Sequence, residues 1–61
     1  MEAEQARTLS AQFPDAFLAL LKRMTRAERT ALLKEFAAQY PKDYAAWLTA
    51  DVRTYLKFLD Q

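Results

Sequence analysis

A basic cluster is the feature of this sequence that, by residue type, could bind a ligand. Four cations fall within eight positions of "LLKRMTRAER" and a fifth follows soon after: Lys22, Arg23, Arg26, Arg29 and Lys34. Clustered Lys and Arg side chains attract phosphate groups, so the cluster predicts contact with nucleic acid or with an acidic partner. The competing interpretation is structural: cations at the carboxyl end of one helix, followed by the capped start of the next.

Residues that would read a base sequence are missing from this stretch. A recognition helix contacts base edges with its N-terminal residues, whereas the helix that follows "MTR" has no Asn and only Gln39, near its far end. The net charge of +1 does not favour general attraction to a polyanion or to an anionic membrane. Nucleic-acid binding is therefore the alternative function and not the leading one.

Catalytic chemistry lacks its usual residues. The chain has no Cys and no His, and Ser10 is its only serine, so the sequence offers no nucleophile–base pair to propose. Glu28 and Glu35 share a helix face that points away from the apolar stripe, and we expect both carboxylates to be solvated with ordinary pKa values. So small a chain offers little room for a ligand pocket. We predict that the protein is not an enzyme and has no small-molecule substrate.

Cofactor and metal sites are disfavoured by the same composition. Without Cys or His, the ligands of zinc, haem and iron–sulfur sites are missing. No Asp/Glu spacing resembles a calcium loop, and the absence of Gly excludes glycine-rich phosphate loops. We predict no cofactor and no bound metal.

Aromatic residues near the end of the chain form the second candidate site: Tyr44, Trp47, Tyr55 and Phe58. Trp and Tyr are the residues that most often anchor protein interfaces. Domains this small are marginally stable alone and usually need a disulfide, a metal or a partner; without Cys or His, a partner remains. We therefore expect these residues to bind another protein or a second copy of the chain. The competing interpretation is that they fill the centre of a small bundle.

The elements that carry these residues are predicted to be helices within a single domain over residues 1–61. Good helix formers dominate and Gly is absent, so the fold class is all-α. We expect three main helices, at about 14–24, 26–40 and 42–60, with a weak N-terminal helix or arm over Glu2 to Gln12.

Local signals set the ends of these helices. Pro14 suits the first position of a helix, and "TRAE", from Thr25 to Glu28, matches the S/T-x-x-E capping box. Pro41 ends the preceding helix, because a residue before proline is pushed out of the helical region, and the next helix either starts there or is capped by Asp43.

The last predicted helix carries a short apolar seam, with spacings of 3, 4, 3 and 4: Ala45, Leu48, Val52, Tyr55 and Leu59. Two charges fall on apolar arcs, Arg29 in the third helix and Asp51 in the last. Charges are rarely buried unless they are paired. We therefore predict that Arg29 and Asp51 form a partly buried ion pair or mark the rim of an interface.

The leading interpretation is a small helical protein–protein interaction or regulatory module that forms a homodimer through its aromatic C-terminal helix. The longest uninterrupted apolar run, "AFLALL", has six residues, against roughly 20 needed to span a bilayer, so we expect no membrane span. The acidic, polar start of the sequence is unlike a secretory signal. The expected location is cytoplasmic.

Overall fold

Five helices make up the protein in a computed structural model that describes residues 2–61. They are α1 (Ala3–Gln12), α2 (Pro14–Arg23), α3 (Arg26–Gln39), α4 (Pro41–Trp47) and α5 (Ala50–Leu59). No strand occurs within residues 2–61. The all-α prediction is confirmed. The prediction of three main helices and a weak arm is not, because α1 is fully formed and the last predicted helix is divided in two. Met1, the first residue of the predicted domain, lies outside the described residues.

Helix α1 is central to the bundle, although the sequence predicts only a weak helix or arm there. It packs against α2, α3 and α4. Its buried residues are Ala3, Ala6 and Ser10, and the Ser10 hydroxyl donates to the Arg7 carbonyl at 2.8 Å. Small side chains at one helix face allow neighbouring helices to approach closely. A thin apolar stripe can therefore mark a tightly packed helix.

The turn between α2 and α3 follows the sequence signals closely. Pro14 occupies the first turn of α2. Thr25 caps α3: the Glu28 backbone N–H donates to Thr25 Oγ1 at 3.2 Å, and the Thr25 backbone N–H donates to Glu28 Oε1 at 2.9 Å. The two bonds satisfy donors that the first turn of a helix leaves free. The predicted capping box is confirmed.

The core lies between α1, α2, α3 and α4, and aromatic rings make up half of its buried residues. Phe17 and Phe36 are fully buried, with ring centroids 6.3 Å apart in an edge-to-face arrangement. The Trp47 ring lies 5.1 Å from Phe17 and 5.9 Å from Phe36. Tyr44 packs edge-on against Phe36 at 5.4 Å. Offset and edge-to-face pairs at these distances add to the stabilisation from apolar burial.

The predicted helix over residues 42–60 is interrupted at Leu48 and Thr49. Leu48 has φ −80° and ψ 68°, and the Thr49 N–H donates to the Trp47 carbonyl at 2.8 Å, which makes Leu48 the centre of an inverse γ-turn. Thr49 then caps α5, since its Oγ1 accepts from the Val52 N–H at 3.3 Å. The prediction of a continuous apolar seam from Ala45 to Leu59 is therefore wrong, and Ala45 is exposed.

Candidate interaction surface

Arg29, a predicted phosphate contact, lies in the interior and is only 5% exposed. Its Nη1 donates to the Leu21 carbonyl at 3.1 Å and to the Met24 carbonyl at 3.2 Å. Its Nη2 donates to the Leu59 carbonyl at 3.4 Å and to Asp60 Oδ1 at 2.9 Å. Arg29 thus holds the carboxyl ends of α2 and α5 together, and its guanidinium is not free to bind a phosphate.

The predicted ion pair between Arg29 and Asp51 is wrong. The acidic partner is Asp60, just past the end of α5, and Asp51 is exposed in the first turn of that helix. The break at Leu48 and Thr49 is the physical reason, because it turns the carboxyl end of α5 towards Arg29. A cation is favoured there by the partial negative charge of the helix end.

The rest of the basic cluster is on the surface. Lys22, Arg23, Arg26 and Lys34 are exposed. Arg26 Nε lies 4.0 Å from Asp60 Oδ1, and the Arg26 side chain is 75% exposed. Four of the five predicted phosphate contacts are thus exposed to solvent, and the Asp60 carboxylate lies beside Arg26.

An acidic groove lies on the other flank of α3, against α1. Its volume is about 570 Å³, and four glutamates line it: Glu2, Glu4, Glu28 and Glu35. The groove is open to solvent, and the expectation that the chain has little room for a ligand pocket stays a prediction. Within residues 2–61, no three Asp, Glu, His or Cys side chains converge closely enough to hold a metal ion.

The pKa of Glu28 is lower than the ordinary value that the sequence predicts. The Thr25 backbone N–H that donates to the Glu28 carboxylate lowers the pKa of Glu28, and the Thr25 side chain adds to the effect. A hydrogen bond donated to a carboxylate stabilises its charged form. The carboxylate is thus held ionised as part of the capping box, which is a structural role.

The four aromatic residues of the second candidate site divide between the core and the surface. Trp47 is buried with 6% exposure, so the competing interpretation, a bundle-filling side chain, describes its position. Its Nε1 is buried and has no hydrogen-bond partner within residues 2–61. Tyr44 is half-buried against Phe36 and Trp47. Tyr55 is half-buried and Phe58 is 65% exposed.

Helix α5 presents two different faces. Val52, Leu56 and Leu59 pack against the core, although none of the residues from Ala50 to Leu59 is fully buried. At 100° per residue, Phe58 points away from these three residues, and Tyr55 lies between Phe58 and Leu59 at the edge of the core-facing side. We call Tyr55 and Phe58 the α5 aromatic stripe.

Phe13 is a second exposed aromatic residue that sequence reasoning did not single out as a surface residue. It joins α1 to α2 and is 57% exposed. The sequence signals its position but not its exposure: Phe13 precedes Pro14, and a residue before proline is disfavoured in the helical region. It provides a natural comparison for Phe58.

No family model matches this chain, and no curated protein or solved structure matches it. Within residues 2–61, none of the helices combines the length and the apolar character that a bilayer crossing requires. The fold and surface therefore define a class only: a small all-α domain with an aromatic stripe on its last helix.

Proposed function

We propose that this protein is a helical protein–protein interaction module that self-associates through α5. The observation that carries the proposal is that α5 has no fully buried residue yet presents Phe58 with 65% of its surface exposed, beside Tyr55. Exposed aromatic side chains on an amphipathic helix are typical anchors of protein interfaces. A module of this kind would act as a small regulator or adaptor.

The energetics favour association through this stripe. Burying a fully exposed Phe contributes about 1.5–3 kcal/mol, so covering Phe58 contributes on the order of 1–2 kcal/mol per copy. In a symmetric dimer the same residue is covered twice, because both copies use the same patch. Association would also bury more of the lightly packed α5, and added burial stabilises a small domain whose own core is limited.

The test is the dissociation constant of the dimer, measured by sedimentation equilibrium from micromolar to millimolar concentrations. We expect Phe58→Ala to weaken the dimer roughly 30-fold or more, since at least about 2 kcal/mol is lost over two copies. Phe13→Ala is the matched control, because it removes the same side chain at similar exposure from another part of the surface. We expect it to leave the dissociation constant within about twofold.

Two results would contradict the proposal. One is a protein that stays monomeric up to millimolar concentration. The other is a dimer that Phe13→Ala weakens as much as Phe58→Ala, which would indicate non-specific apolar contact. Circular dichroism on each variant confirms that its helices are intact.

Nucleic-acid binding is the second candidate function, and the exposure of Lys22, Arg23, Arg26 and Lys34 favours it. These four cations surround the turn between α2 and α3. The burial of Arg29 and the closeness of Asp60 to Arg26 reduce the positive charge that a phosphate would meet. Self-association is therefore the function that the geometry supports best.

A further inference from the structure

The junction between α4 and α5 is short and contains no residue that prevents a helix. Only Leu48 and Thr49 separate the two helices, and neither Pro nor Gly is present between Lys42 and Asp60. Two local hydrogen bonds hold the bend: Thr49 N–H to the Trp47 carbonyl, and Val52 N–H to Thr49 Oγ1. A continuous helix would replace both with ordinary backbone bonds, so the bent and straight forms are alternatives for the same residues.

The side-chain pattern matches the straight form as well as the bent one. The apolar spacing of 3, 4, 3 and 4 from Ala45 to Leu59 runs through the bend without interruption. In a straight helix, Tyr44, Trp47, Tyr55 and Phe58 would share one face, because positions 3, 11 and 14 residues apart lie within about 80° of one another. In the bent form, by contrast, Trp47 is buried and Phe58 is exposed.

The attachment of α5 to the rest of the protein is light. Val52, Leu56 and Leu59 are only partly buried against the core. Beyond these apolar contacts, the carboxyl end of α5 is held by Arg29, through the Leu59 carbonyl at 3.4 Å and Asp60 at 2.9 Å. These few contacts make α5 the most lightly held helix of the bundle.

We propose that two copies of this chain exchange α5. The bend at Leu48 and Thr49 straightens, residues 41–59 become one helix, and the α5 of each copy occupies the α5 position of the other. The occupant is a second copy, because the surface that Val52, Leu56 and Leu59 cover fits α5 of any copy equally well. Exchange of an identical element is a low-cost route to a dimer. This inference rests on the proposed self-association and adds the exchange of α5 to the contact that the α5 aromatic stripe makes.

Ala50→Pro separates exchange from simple surface contact. Ala50 is the first residue of α5, where proline is well tolerated, and Thr49 already has the extended conformation, φ −75° and ψ 171°, that a residue before proline prefers. The bent form therefore accepts this proline. In a continuous helix the same proline would be internal and strongly destabilising. We expect Ala50→Pro to weaken the dimer at least 100-fold while helix content is retained.

Thr49→Ala should act in the opposite direction. It removes the cap that stabilises the bend and places a better helix former at the junction. We expect the dimer to become about 10-fold tighter or more. Thr54→Ala is the matched control: its hydroxyl donates to the Ala50 carbonyl within α5, and its loss should leave dimerisation unchanged.

A second measurement keeps the proposal testable if Ala50→Pro fails to fold. Two glycines inserted between Leu48 and Thr49 would lengthen the junction. The bent monomer would lose the Thr49–Trp47 bond and keep the Thr49 cap, whereas two internal glycines would destabilise a continuous helix. In the wild-type dimer, the Ala50 and Asp51 amides should exchange hydrogen slowly, because a straight helix bonds them to Ala46 and Trp47.

The outcomes are distinct. A wild-type dimer that Ala50→Pro or the glycine insertion converts to a monomer, with protected Ala50 and Asp51 amides, supports exchange. A dimer that both variants leave intact overturns exchange and leaves self-association through the α5 aromatic stripe standing. A wild-type protein that is monomeric at millimolar concentration overturns both.

Discussion

Arg29→Met is the substitution expected to destabilise this protein through loss of hydrogen bonds in its interior. Arg29 is 5% exposed and donates to four acceptors at 2.9 to 3.4 Å, three of which are backbone carbonyls. Methionine keeps much of the apolar stem and removes the guanidinium. The carbonyls at the end of α2 then lose the donor that a helix terminus needs.

The expected cost is about 3 kcal/mol. A hydrogen bond to a charged group contributes roughly 1.5–3 kcal/mol. Removing a buried charge recovers part of its desolvation cost, which keeps the total below the sum of four such bonds. The Leu21 carbonyl also retains the Met24 N–H at 3.2 Å. Asp60 contributes little, about 1 kcal/mol or less, because its side chain is 44% exposed to solvent.

Urea denaturation followed by the fluorescence of Trp47, the only tryptophan, measures these free energies of unfolding. A chain of this length is expected to have about 3–9 kcal/mol in total, so Arg29→Met should unfold at much lower urea. Asp60→Asn is the comparison. If it costs as much as Arg29→Met, the ion pair dominates and the capping argument is refuted. A cost below about 1 kcal/mol for Arg29→Met would refute it too.

Three further predictions concern the turn between α2 and α3. Thr25→Ala should lower the free energy of unfolding by about 1 kcal/mol in urea denaturation, because α3 loses its cap; an unchanged midpoint would contradict this. The pKa of Glu28 is lowered in the folded protein, so its contribution to stability is present at neutral pH and lost as pH falls through the acid range. Glu28→Gln should accordingly flatten the fall in thermal midpoint on acidification, and an unaltered pH profile would count against the capping role. Fluorescence anisotropy at low salt should show no micromolar binding to mixed-sequence DNA or RNA; tight, salt-sensitive binding abolished by charge reversal at Arg26 and Lys34 would instead establish the second candidate function.

Helix ends in this protein were predictable because short-range chemistry sets them. Pro14 and Pro41 each begin a helix, and Thr25 with Glu28 forms the capping box that four residues of sequence indicate. Each signal depends on atoms within one helical turn. The all-α class followed from composition in the same way, since the chain has no Gly and is rich in helix formers.

Packing between helices was harder to predict, and α1 and Arg29 show why. The buried face of α1 consists of Ala3, Ala6 and Ser10, whose small side chains leave a weak apolar pattern but allow close approach. Helical winding placed Arg29 on an apolar arc, and it is indeed buried with an ionic partner. That partner is Asp60, 31 residues along the chain, and its position depends on how α5 is turned. Arg29 is not part of an exposed basic surface because it is buried in this contact between helices.

The bend at Leu48 and Thr49 could not be predicted because the sequence is compatible with both a bent and a straight helix, and Ala50→Pro measures the balance in the monomer. In the bent form, the proline fits the first turn of α5 and reduces the freedom of the unfolded chain, so we expect the free energy of unfolding to rise by about 0.5 kcal/mol. In a single helix over residues 42–60, it would fall by about 3 kcal/mol. Urea denaturation below the dimer dissociation constant distinguishes the two by sign. A fall of that size would show that the straight helix already dominates in the isolated chain, and the capping role of Thr49 would then be refuted.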